Sequence, residues 1–92
     1  MWTVVEASAV EKELRRCPRT ILGKYEQWKA LVQTGGPQAL RGLPGLRDEA
    51  LKGRWREFRS SRLGLQWRVI YQVQAQRVTV AVVRISAHDY RR

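Results

Sequence analysis

The sequence predicts an α+β domain in which an N-terminal strand and a helical hairpin precede an antiparallel β-meander, and three observations carry that prediction. A run of β-branched and aromatic residues, Trp2 to Ala7, opens the chain. Apolar residues then recur at helical spacing from Val10 to Val32. From Arg54 onwards the composition changes to strand-like runs divided by glycine and polar turn residues. With 92 residues, no internal repeat and no linker-like tract, 1–92 reads as a single domain near the lower size limit for a self-sufficient core.

The first helix begins at Ser8, where Ser8, Ala9, Val10 and Glu11 spell a capping box. Val10, Leu14 and Cys17 form its apolar face, which reads Cys17 as core filler, and Lys12, Arg15 and Arg16 are left for solvent. Pro18 ends that helix and suits the first turn of a second. Ile21, Leu22, Tyr25, Trp28, Leu31 and Val32 keep the helical period through the second helix, until Gly35, Gly36 and Pro37 stop it. Thr34 to Gly45, with four glycines and two prolines, is a loop by composition, holding at most a helical turn at Gln38 to Gly42.

Three strand-like runs follow, Arg54 to Leu63, Gln66 to Val73 and Val78 to Ile85, with Gly64 and Gln74 to Gln76 at the turns. In the middle run Trp67, Val69, Tyr71 and Val73 point one way, and Arg68, Ile70 and Gln72 the other. The register of the first run stays open, because Trp55 and Phe58 have opposite parity and share a face only across a bulge. Packing the hairpin on one sheet face leaves the other to the arginines. The expected core draws on Val4, Leu14, Tyr25, Trp28, Leu31, Val69, Tyr71, Val80 and Val82.

Composition excludes several classes of function. No apolar run approaches the roughly 20 residues that span a bilayer, and no secretory signal is visible, so the cytoplasm is the expected compartment and no membrane partner is expected. One cysteine and one histidine leave no internal disulfide and no expected metal site. Neither GxxxxGK[ST] nor GxGxxG occurs, no serine adjoins His88, and no cofactor is expected. The net charge is +10 and uneven: residues 1–49 carry eight cations and six acids, residues 50–92 ten cations and two acids. A field of that sign attracts nucleic acid, or an acidic protein.

The charge is densest from Leu51 to Tyr71, where Lys52, Arg54, Arg56, Arg59, Arg62 and Arg68 stand among Trp55, Phe58, Trp67 and Tyr71 against the single acid Glu57. Such a strip is either a solvated basic face or a polyanion interface. Arg68 has a defined direction on its strand, which suits a planar guanidinium to a phosphate. The tail His88, Asp89, Tyr90, Arg91 and Arg92 follows the last strand. His88 and Tyr90 either anchor the C-terminus or serve as proton donor and acceptor, with arginines to neutralise a developing phosphorane. RNA carries its own nucleophile, the 2′-hydroxyl, so such a set can cleave it by intramolecular transfer.

The ordered set Leu51-Lys52-Gly53, Trp67-Arg68-Val69-Ile70-Tyr71, a valine-rich strand and the terminal His88 to Arg92 resembles the RelE/ParE superfamily of bacterial type II toxins. The resemblance is closest to the RelE and HigB-like mRNA interferases. It spans essentially the whole chain and implies the RelE-like microbial RNase toxin fold. It implies a metal-independent, ribosome-dependent endoribonuclease that cuts mRNA and inhibits translation, silenced by a cognate antitoxin. The resemblance assigns Arg68 to the scissile phosphate and His88 and Tyr90 to proton transfer. Arg62 is the first choice among the basic residues preceding that strand, ahead of Arg59 and Arg56. Lys52, Arg54 and Arg91 are further RNA-contact candidates. Some members use a glutamate base before the leucine-x-glycine step, near Glu49, although the local pattern matches poorly. A ParE-like gyrase inhibitor and a non-catalytic RNA-binding module are the alternatives, and neither needs His88 or Tyr90.

Overall fold

A computed structural model describes residues 1–87. Strand β1 (Thr3–Glu6) leads into helices α1 (Ser8–Arg16) and α2 (Arg19–Gly35) and a short α3 (Gln38–Arg41). Strands β2 (Glu49–Ala50), β3 (Arg59–Arg62), β4 (Arg68–Gln74) and β5 (Thr79–Ser86) follow. They form one sheet in the order β1-β5-β4-β3-β2, antiparallel except where β1 lies parallel to β5. The α+β class expected from the sequence is therefore the class that forms, with β1 added to the free edge of the meander by way of the helices.

The helices cover one face of the sheet. Tyr25, Trp28, Val69, Tyr71, Val80 and Val82 are buried, and Val4, Leu14 and Leu31 pack half-buried against them, so every expected core position joins the core or its rim. Trp28 centres the cluster, with its ring 5.9 Å from Tyr25 and edge-on to Tyr71 at 5.3 Å. Burying one such side chain stabilises the fold by roughly 1.5–3 kcal/mol. Cys17 joins the cluster, and its thiol is pushed up first by burial and then by Glu13, as suits filler rather than a nucleophile. A register shift lets Ile70 pair with Arg84 but Tyr71 with Val82, which brings both Val82 and Ile85 of β5 into the core. Beyond the end of β1 the free edge of β5 is covered by Glu13, which accepts from Ile85 N–H at 2.8 Å and pairs with Arg84.

Local details depart from the sequence reading where neighbouring strands decide them. The capping box does not form: Ala7, whose N–H is still committed to Val82 in the sheet, is the N-cap, and alanine has no side-chain acceptor to cap with. Ser8 is thus already helical, and Glu11 pairs with Arg15 instead. Pro18 is the N-cap of α2 rather than a residue inside its first turn. The run from Arg54 is a strand only over Arg59–Arg62. Gly53–Trp55 is a 3-10 turn, so Trp55 and Phe58 meet edge-to-face at 5.2 Å without any bulge. The loop does contain a helical turn, α3, which buries Leu40 completely.

Candidate active site

Strand register assembles the site on the sheet face turned away from the core. Arg62 pairs with Arg68, Ser60 with Ile70, and Glu49 with Ser60, and paired residues share a face. Since Val69 and Tyr71 point into the core, Arg68, Arg62, Ser60 and Glu49 emerge on the opposite side. Arg47, Glu49, Ser60, Arg62 and Arg68 line a small cleft of about 10 Å³ there. Arg68 lies on β4, flanked by strands on both sides, and is only 7% exposed. Among the described residues nothing accepts a hydrogen bond from its side chain or forms an ion pair with it. Three guanidinium groups and one carboxylate converge, and two cations directly opposite each other are unfavourable unless an anion lies between or beside them.

On the other side of the same strands lies a buried polar network that no sequence pattern announced. The Asp48 side chain, 1% exposed, accepts from Arg59 Nε at 2.9 Å and pairs with Arg59 Nη2 at 2.8 Å. It also accepts from Ser61 Oγ at 2.6 Å and from Tyr71 Oη. Burial, followed by the Asp48 carboxylate, holds the Tyr71 hydroxyl well above the ordinary phenol range. For Arg59 burial works downwards, but Asp48 outweighs it and the guanidinium stays charged.

The structure therefore brings together Arg68 and Arg62 from the sequence-derived set, places beside them Glu49, which the resemblance had suggested only weakly, and adds Arg47. Arg59 is turned to the opposite face and engaged by Asp48. Lys52, Arg54 and Arg56 are exposed in the segment between β2 and β3, and none lines the cleft. His88, Tyr90 and Arg91 lie outside the described residues. Arg47 was missed because it precedes the basic run. The available signal was the alternation Arg47, Asp48, Glu49, which puts two residues on one face and the third on the other. Among the described residues no cluster of three metal-binding side chains occurs, and no helix is long and apolar enough to cross a membrane.

A second concavity adjoins the first through Arg62. This apolar groove of about 620 Å³ runs between Trp28 and Leu31 of α2, Leu43 to Leu46, and Leu63 to Leu65 at the β3–β4 turn. Its lips are unusually bare, with Leu65 90% and Leu43 49% exposed, and Lys24 and Arg62 add positive charge at the margin.

No protein-family model matches the sequence, and no curated protein does. Solved structures do match. The YoeB/ParE toxin from Agrobacterium tumefaciens has a TM-score of 0.75 at 16% identity, over 95% of this chain and 99% of that one. The toxin-antitoxin complex RelBE2 from Mycobacterium tuberculosis gives 0.69 at 19% identity, over 92% and 95% of the two chains. The heterotetrameric YoeB-YefM toxin-antitoxin complex from Staphylococcus aureus gives 0.73 at 12%, over 97% and 99%. What is shared at such identities is the fold, and it is shared along nearly the whole of each chain.

Proposed function

We propose that this chain, which has the fold of the RelE/ParE-superfamily toxins, is the toxin of a type II toxin-antitoxin pair and acts in the cytoplasm as a metal-independent endoribonuclease on ribosome-bound mRNA. The observation that carries this reading is the buried Arg68, with no partner among the described residues, set opposite Arg62 in a cleft that also holds a carboxylate. A phosphodiester supplies an anionic partner for Arg68. Arg68 and Arg62 neutralise the charge that grows on the non-bridging oxygens as the 2′-hydroxyl attacks phosphorus. Glu49, on the same wall, takes the 2′-hydroxyl proton, and the tail returns a proton to the departing 5′-oxygen. Products are a 2′,3′-cyclic phosphate and a 5′-hydroxyl.

The groove beside Arg62 suits the antitoxin. Bare leucines of this size mark a protein contact, and the positive margin and net charge of +10 favour an amphipathic helix with an acidic flank. The same charge disfavours a second copy of this chain. An acidic side chain of such a helix reaches Arg62 and competes with the substrate phosphate.

The test maps mRNA 5′ ends in growing cells after induction of wild type, Arg68→Ala and Glu49→Gln. Wild type is expected to generate new ends within translated codons and to arrest growth, and both variants to lose most of these ends. Wild-type expression that arrests growth without new ends would point to a gyrase-directed or other contact-only inhibitor and overturn the nuclease assignment.

A further inference from the structure

Asp48 is flanked in sequence by two residues of the cleft and points away from it. Arg47 and Glu49 line the cleft, whereas Asp48 turns through to the core side and accepts from Arg59, Ser61 and Tyr71. Strand β2, which presents Glu49, is only two residues long and exposed at both, and the chain enters it through Arg47 in the left-handed region at φ 43°. A two-residue edge strand has too little ladder to hold its own register. Asp48, by contrast, is bonded to side chains of both β3 and β4, the strands that carry Arg62 and Arg68.

We infer that Asp48 is the positioning residue of the cleft: its contacts with Arg59, Ser61 and Tyr71 fasten the 47–49 segment to β3 and β4, and so set the Glu49 carboxylate against Arg62 and Arg68. The catalytic part of this inference rests on the nuclease reading above; the positional part does not. Removing the anchor frees Glu49 but leaves the arginines on their own strands, so proton transfer suffers while RNA binding persists. Misplacing a reacting group by about 1 Å costs on the order of 100-fold in rate.

The experiment compares Asp48→Asn and Tyr71→Phe with wild type and Glu49→Gln, at a temperature where circular dichroism shows all of them folded. Tyr71→Phe removes one donor and keeps the ring in the core, so it reports even if Asp48→Asn does not fold. Two readouts are taken. In ¹H–¹⁵N spectra, either variant is expected to move the amide signals of Arg47, Glu49 and Ala50 and the side-chain Nε–H signals of Arg62 and Arg68, while Val10 and Val32 in the helices stay in place. In single-turnover cleavage of ribosome-bound mRNA, Asp48→Asn is expected to lose about 10- to 100-fold in rate, approaching Glu49→Gln, with RNA affinity within about twofold of wild type. Unmoved signals at 47–50, or rate and affinity falling together in proportion to the unfolded fraction, overturn the inference. If wild type cleaves no RNA, the nuclease reading fails and the spectra alone decide the position of Glu49.

Discussion

Arg62 stands directly opposite Arg68 across the β3–β4 ladder, on the face that the core does not use. Like charges so placed weaken a ladder, which makes the pair a poor structural device and a good anion receptor. Arg68→Ala is expected to lower single-turnover cleavage by about 100- to 1000-fold, the usual loss for one preorganised donor. Arg62→Ala should follow the same direction, and the double variant should lose less than the product of the two, because both act on one phosphate. Arg68→Lys should restore little, since a point charge does not reproduce the planar fork. The check is cleavage of ribosome-bound mRNA by each purified variant, and loss in simple proportion to net charge would mean that no such receptor exists.

Leu65 is expected to matter for silencing and not for toxicity. Leu65→Glu places a carboxylate on the lip of a groove proposed to receive an acidic helix, while lying off the cleft-lining set. Toxicity should persist, and neutralisation by the co-expressed antitoxin should fall at least tenfold in affinity, which about 1.4 kcal/mol suffices to produce. Calorimetric titration of antitoxin into each variant measures it, and unchanged affinity would place the docking surface elsewhere.

The glycine-rich segment before Leu46 should prove to be part of the folded core. Leu40 is fully buried by α3, so Leu40→Ala is expected to cost about 2–5 kcal/mol in urea unfolding. A cost below about 0.5 kcal/mol, the range of ordinary surface changes, would mean that α3 does not dock.

Val78 follows the turn between β4 and β5 with φ 50°, and it is 43% exposed. A β-branched residue pays for this conformation with strain of about 1–3 kcal/mol, whereas glycine adopts it freely. Val78→Gly is therefore expected to stabilise the protein, by about 1 kcal/mol after the added chain entropy of glycine is set against the relief. A raised urea midpoint with an unchanged m-value is the measurement, and a lowered midpoint would refute it.

Alkaline pH should unfold the protein through Tyr25 and Tyr71. Burial first, then a hydrogen bond to Glu6 or Asp48, raises both hydroxyls above the usual phenol value. A raised folded value means that the native state keeps its proton when the unfolded chain has lost it. The contribution is thus fully present below about pH 10 and declines above it, by up to about 1.4 kcal/mol per pH unit for each tyrosine. Urea midpoints at pH 8, 10 and 11 should show the fall, and Tyr71→Phe should make it shallower.

Much of this protein was legible in the periodicity of its chain. A repeat of 3.6 located α1 and α2, and a repeat of two oriented Val69 and Tyr71 inwards and Arg68 outwards, because those spacings follow from backbone geometry within a single element. The core list and the direction of Arg68 were legible for that reason. Tertiary structure decided which residues meet Arg68. Arg62 and Arg59 both precede β4 in the same basic run, and only the pairing Arg62↔Arg68 and Arg59↔Tyr71 separates the cleft residue from the one that Asp48 engages. Glu49 enters through a strand of two residues that exists because β3 offers an edge and Asp48 finds Arg59, Ser61 and Tyr71 beneath it. Those partners lie 11 to 23 residues away. Contacts at that separation leave no periodic trace in the chain, since each depends on how three strands are registered and on nothing local to Asp48.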